Sequence, residues 1–202
     1  ISACLVGSEM CIRDRYIMGK GKETTMKKGD RLWFDKSEIT VCKRGVIGEY
    51  RGDLLVDVYT RKEFVFGVHT KGVSLAEGSI YSLPLRKIPS EYHATINDAS
   101  MKRNLRLLER LSHLTDGDVE TRLQNLLLSF GNRYGMFTGK TTFIPLSLPR
   151  QRLAEMLNCR AETVTRIVTK WKKNGVVDFR KEGIELIRLS LIHISEPTRQ
   201  AE

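Results

Sequence analysis

Asn158–Gly175 reads NCRAETVTRIVTKWKKNG, and its periodicity decides the fold. Val164, Ile167, Val168 and Trp171 recur at i, i+3, i+4 and i+7, which lays one apolar stripe along a helix. The opposite face carries Arg160, Glu162, Thr165, Arg166, Thr169, Lys170 and Lys173, mostly cationic and able to hydrogen-bond. Gly175 supplies a stop signal. Upstream, Pro149–Leu157 reads as a second short helix that turns Leu153, Met156 and Leu157 inward. Between the two, Asn158 is expected at positive φ, a conformation that asparagine tolerates better than most residues. Two short helices joined by such a turn, the second of them basic, make a helix-turn-helix.

Composition sets the outer bounds. The chain has 202 residues, 41% of them hydrophobic, enough for one or two small domains with their own cores. Lys and Arg number 34 against 24 acids, a formal charge of +10, which favours a polyanionic partner. No run approaches the roughly 18 apolar residues of a membrane span, and a cytoplasmic protein is expected. Cysteines at 4, 11, 42 and 159 show no paired spacing, so neither a disulfide framework nor a zinc knuckle is indicated.

Both ends look foreign to the middle. Residues 2–15, SACLVGSEMCIRDR, and 189–202, LSLIHISEPTRQAE, resemble peptides that arise when sequencing adapter is translated with a gene fragment. Segments 1–15 and 189–202 are therefore expected to be artefactual tails, with the true termini elsewhere. Neither Cys4 nor Cys11 is then a metal ligand, and the first segment is no signal peptide, since it lacks a basic n-region. The first tail nets zero charge and the second −1, so the remainder carries +11.

Residues 16–96 read as a β domain. Arg31–Phe34, Ile39–Lys43, Val46–Tyr50, Leu54–Thr60, Glu63–Val68 and Ser79–Leu85 are short β-prone runs. Turns are expected at Gly29-Asp30, Arg44-Gly45, Arg51-Gly52-Asp53, Thr60-Arg61-Lys62 and Lys71-Gly72, which suggests a small sandwich or roll. Residues 97–114 change to a helix with two apolar stripes, Met101, Leu105 and Leu108 beside Leu107, Leu111 and Leu114. Two stripes call for two partners, one the chain's own domain and the other, most economically, a second copy of the same helix. Leu107, Leu111 and Leu114 are the dimer candidates. Residues 115–188 then hold an amphipathic helix on Val119, Leu123, Leu126, Leu127 and Phe130, with Thr115 able to cap it. A polar connector, a short strand opening at Phe143, the helix-turn-helix and a Val176–Phe179 and Ile184–Arg188 hairpin complete the chain. The hairpin is a wing.

This order and these motifs resemble the Crp/Fnr transcription regulators, whose plan is an N-terminal β-roll, a long dimerising helix and a C-terminal winged helix-turn-helix. The resemblance covers roughly 26–188. It is strongest over Leu146–Leu186, with LSLPRQRLAEMLNCRAETVTRIVTKWKKNGVV, good over Asn97–Phe130, and weak over the roll, where Lys43-Arg44-Gly45-Val46 resembles the family's Lys-Gly-x-Val turn. The fold implied is α+β, with a shortened cyclic-nucleotide-binding-like roll. On the pattern E-T-V-x-R, Glu162 and Arg166 fall on the family's acidic and arginine base readers, with Thr165 between them. Arg can grip guanine O6 and N7, a carboxylate can accept from cytosine N4, and a threonine methyl suits thymine. Glu162 can also orient Arg166 one turn away. Ala161 stands where cyclic-AMP-receptor-like members carry an arginine, so the resemblance implies the Fnr-like branch and TTGA-type half-sites in a pseudo-palindrome. Arg150, Arg152, Arg160, Lys170, Lys172, Lys173, Arg180 and Lys181 are the phosphate candidates, with Arg150 and Lys170 foremost. Pro149 replaces the hydroxyl residue that often caps the first helix.

The implied partners are double-stranded DNA, a second copy of the chain and RNA polymerase, with no membrane. No cofactor is implied. Cyclic-nucleotide-binding members hold the phosphate with a Gly-Glu-Leu segment, a short helix and an Arg-Ser pair. Here Lys71-Gly72-Val73-Ser74-Leu75-Ala76-Glu77 runs directly into Gly78-Ser79-Ile80-Tyr81. A buried cyclic phosphate would there lack an arginine or a helix N-terminus. Cys42 and Cys159 are too few for an iron–sulfur cluster and read as packing residues. His69, His93 and His113 are assigned no ligand. The sequence shows no Ser/His/Asp arrangement, phosphate loop or cleft carboxylate pair, so no enzyme is expected. The alternative is a winged-helix adaptor that meets nucleic acid or protein without operator specificity.

Overall fold

The computed structural model describes residues 16, 19–66, 71–115, 117–139 and 141–187. Both tails expected to be artefactual, His69 and the last residue of the wing, Arg188, lie outside the described residues. The chain divides into two compact units at Leu108/Glu109.

The first unit is built on six strands: β1 (Lys22–Met26), β2 (Arg31–Leu32), β3 (Glu38–Arg51), β4 (Leu54–Tyr59), β5 (Phe64–Val65) and β6 (Lys71–Pro84). They form one sheet in the order β1-β6-β3-β4, with β2 pairing on β6 and β5 on β3, all antiparallel. Two of the expected turns are not turns. Arg44-Gly45 lies inside β3 and Lys71-Gly72 opens β6, so the runs Ile39–Lys43 and Val46–Tyr50 merge into one strand of 14 residues, and the run expected at Ser79–Leu85 starts instead at Lys71 in a second strand of 14. The reason is steric. Gly45 sits at φ +96, and a Cβ on Gly78 would stand 1.9 Å from the Arg44 carbonyl oxygen. Glycines at these two sites let β3 and β6 continue past each other through register shifts between Cys42 and Ile47. They bulge rather than turn.

Alternating apolar residues of these strands fill two clusters. One gathers Met26, Leu32, Cys42, Ile47, Tyr59, Val65 and Ile80, the other Ile39, Val41, Phe64, Tyr81, Leu83 and Ile88. The second cluster takes Tyr92, Ile96 and Ala99 against its side. Two single-turn 3₁₀ segments, Leu85–Lys87 and Ser90–Tyr92, lead into α1 (His93–Thr115). Thr115 closes this helix instead of capping the next, its hydroxyl donating to the Ser112 carbonyl at 2.7 Å.

The second unit contains α2 (Val119–Tyr134), β7 (Met136–Phe137), β8 (Thr142–Ile144), α3 (Arg150–Leu157), α4 (Ala161–Lys173), β9 (Val177–Phe179) and β10 (Ile184–Leu186). Asp118 is the cap of α2, accepting from the Thr121 backbone N–H at 2.8 Å. Its β7-β8-β10-β9 sheet sets the wing hairpin β9–β10 beside β8, with Ile184 opposite both Phe179 and Ile144. Leu123, Leu127, Ile144, Leu153, Val164 and Ile184 are all fully buried in this unit. The apolar periodicity of each helix thus becomes one shared core.

Candidate nucleic-acid interface

Asn158 ends α3 in the left-handed conformation, φ 49 and ψ 52, and α4 begins three residues later. The chain therefore reverses tightly without a glycine. Cys159 N–H donates back to Ala154 O at 3.0 Å, closing the end of α3. On α4 the stripe Val164, Ile167, Val168 and Trp171 is buried, while Glu162, Thr165, Arg166, Thr169, Lys170 and Lys173 are exposed. Neither helix has a side-chain cap: Pro149 precedes α3 and Arg160 precedes α4.

Trp171 fixes the depth of α4. Its indole N–H donates to Glu120 Oε1 at 2.7 Å, and Lys170 Nζ meets the same carboxylate at 3.1 Å. A mostly buried indole needs such a partner, but the periodicity of α4 gives no hint that it lies 51 residues upstream. Arg122 donates to Leu114 O at 3.3 Å and Arg110 to Met156 O at 2.7 Å, further ties within this unit.

The three base-reading candidates sit on one exposed face. Thr165 donates its hydroxyl to Ala161 O at 2.8 Å, which leaves its methyl and a lone pair outward. Glu162 and Arg166 lie one turn apart, but among the described residues no ion pair joins them. Exposed pairs of this spacing contribute only about 0.3–0.5 kcal/mol, too little to hold two long side chains together in water. Both are open to a partner.

The phosphate candidates fall into two groups. Arg160, Lys173 and Lys181 are exposed without an ion pair among the described residues. Others are engaged. Arg150 stacks over the Phe179 ring at 3.7 Å and is half-buried, and burial lowers its pKa. Arg152 pairs with Glu155 at 2.8 Å, and Lys170 with Glu120. In the wing, Lys172 and Arg180 both pair with Asp178, at 3.0 and 3.2 Å, and Arg180 also meets Glu185. Hydrogen bonds from Lys172 and Arg180 hold the Asp178 carboxyl below its ordinary range. The two cations ranked foremost from sequence, Arg150 and Lys170, are thus held by protein partners, which sets their positions.

On α1 the open apolar residues are Met101, Leu105, Leu108 and Leu111. Of the expected dimer stripe only Leu111 is exposed, since Leu107 and Leu114 are half-buried.

Inside the first unit, α1 meets the sheet through polar groups. Arg103 Nη2 donates to Glu49 Oε1 at 2.5 Å and Nε to the Tyr59 hydroxyl at 2.8 Å. That hydroxyl donates to Glu49 Oε2 at 2.6 Å, closing a buried triangle. Arg106 adds a pair with Asp57 at 3.5 Å. Burial pushes the Tyr59 phenol up; for Arg103 burial opposes the charge, and the hydrogen bonds and charges of Glu49 and Tyr59 together outweigh it and raise the Arg103 pKa. Lys71–Tyr81, which lacks the family's phosphate-holding segment, is strand throughout. Cys42 is fully buried, with burial pushing its thiol up to about 12, and Cys159 is raised for the same reason. Both therefore stay protonated at neutral pH. Among the described residues no group of three His, Cys, Asp or Glu could hold a metal ion, and no helix is long and apolar enough to cross a membrane.

The chain thus comprises a strand-rich unit, a long helix and a winged helix-turn-helix. Residues 121–191 match the Crp-like helix-turn-helix domain. Over its whole length the chain is similar in fold and order of elements to solved Crp/Fnr-type structures. Its fold is similar to that of a CooA mutant from Carboxydothermus hydrogenoformans, at 17% identity and TM-score 0.71, covering 88% of each chain. FixK2 from Bradyrhizobium japonicum is similar at 13% identity and TM-score 0.71, over 86% of this chain and 96% of that one. A CRP-family transcriptional regulator from Thermus thermophilus follows at 12% identity and TM-score 0.66, over 84% and 94%. Among curated proteins none matches the sequence.

Proposed function

We propose that the protein is a cytoplasmic bacterial transcription regulator that binds a pseudo-palindromic operator as a homodimer. The observation that carries this reading is the exposed face of α4, where Glu162, Thr165 and Arg166 stand open above a buried stripe. In this role Arg166 grips guanine, Glu162 accepts from cytosine N4 and Thr165 lays its methyl against thymine. With Ala161 unable to donate, the half-site is of TTGA type. Arg160, Lys173 and Lys181, together with Arg150, Arg152, Lys170 and Arg180 in their anchored positions, contact phosphates and set the register. RNA polymerase is the further partner.

The dimer contact runs along Met101, Leu105, Leu108 and Leu111 of α1. Steps of four and three from Met101 through Leu105 to Leu108 follow a coiled-coil seam. A second copy sets two α4 helices to read half-sites about one DNA turn apart, ~34 Å. Replacing Leu105 and Leu108 by Glu should yield a monomer by light scattering and weaken operator binding.

A competition shift assay tests the reading against an adaptor without operator specificity. Specific binding should survive excess nonspecific DNA, and Arg166→Ala should relax discrimination at one base pair by about 1–3 kcal/mol. Equal competition by any DNA would favour the adaptor.

A further inference from the structure

One end of the strand-rich unit gathers aromatic rings and cations that the DNA-binding reading does not use. β2 pairs Leu32 with Gly72 and so delivers Trp33 and Phe34 to the start of β6. Lys71 there lies opposite Tyr50, and the chain beyond Tyr50 turns through Arg51, Gly52 and Asp53 into β4. Gly52, at φ +59, makes that reversal possible. Together with Lys36 these residues line an open cavity of about 890 Å³. Its floor is tightly made, since a Cβ on Gly72 would stand 2.5 Å from the Phe34 ring. Trp33, next in the chain, is instead 80% exposed. Among the described residues Lys36, Arg51 and Lys71 have no ion-pair partner, and Asp53 is the one acid in the lining.

We propose that this cavity binds a small aromatic anion, a planar ring carrying a carboxylate or a phosphate. Its volume is that of a small-molecule site. A flat ring stacks on the exposed indole, which offers area with little loss of freedom, and the Phe34 edge completes the slot. Three cations against one acid leave a net positive rim that selects an anion over a neutral ring. The cavity residues are separate from the Glu49, Tyr59 and Arg103 triangle, whose charges are already satisfied within the protein.

Titration calorimetry on the full chain tests this with 2-naphthoate for the carboxylate source and adenosine monophosphate for the phosphate source. Neutral 2-naphthalenemethanol and plain acetate or inorganic phosphate are the controls. At least one aromatic anion should bind with a dissociation constant below about 1 mM, and its controls at least about tenfold more weakly. Trp33→Ala and Arg51→Glu should each weaken that probe by about tenfold or more at an unchanged melting temperature. Arg166→Ala should leave probe binding as in the parent, which separates the cavity from the DNA-binding face. Binding that survives both cavity variants, or no saturable binding of either probe by the parent chain, would overturn the proposal.

Discussion

The exposed face of α4 and the buried contact of α1 with the sheet treat their polar groups in opposite ways. On α4, Glu162 and Arg166 are exposed and without an ion pair among the described residues, so that their hydrogen-bonding capacity remains for a partner. Under α1, Glu49, Tyr59 and Arg103 have spent theirs on one another in a dry setting. The lesson is that polar residues at a helix surface signal recognition only where water is their alternative partner. Where protein is the alternative, the same residue types fasten one element to another.

The contrast can be broken most strongly at the buried triangle. Glu49→Leu leaves Arg103 charged and uncompensated, and should cost about 3–5 kcal/mol in denaturant unfolding of the strand-rich unit. Replacing Arg103 by Leu as well should recover much of the loss, since the unpaired charge goes with it. Less severe is Trp171→Phe, which keeps the ring but removes the donor to Glu120; about 1–3 kcal/mol of stability should be lost from the second unit.

Smaller still is Asp118→Ala, which removes the cap of α2 at about 1 kcal/mol. The Thr121 backbone N–H holds the Asp118 carboxyl below its ordinary range, so the folded pKa lies beneath the unfolded one. That stabilisation is present above pH ~4 and is lost as pH falls through the folded pKa, so parent and variant should converge in acid melts. At the gentle end, Lys173→Ala should weaken all DNA alike and reduce the salt slope of binding by about 1, with no change in base preference.

Much of this was legible in the sequence, and the reasons are local. A stripe such as Val164, Ile167, Val168 and Trp171 reports burial directly, because helix geometry maps spacing onto a face. The positive φ at Asn158 and the wing hairpin follow from similarly local chemistry. What stayed hidden depends on distance in the chain. Gly45 looked like a turn because its partner, Gly78, is 33 positions away, and only that close approach makes the pair a bulge within two long strands. Likewise Arg103 on its helix resembles any surface arginine until Glu49 and Tyr59 are brought beneath it. The two stripes of α1 were visible, but which faced protein was not. Periodicity gives the angle between stripes and leaves their orientation open.

In the proposed dimer, α4 reads a defined half-site twice. Selection of bound DNA from a random pool, using the full chain, tests it most directly. A pseudo-palindrome of two TTGA-type half-sites with centres about one helical turn apart is the expected result. An asymmetric motif, a TGTGA-type half-site or no enrichment at all would contradict it.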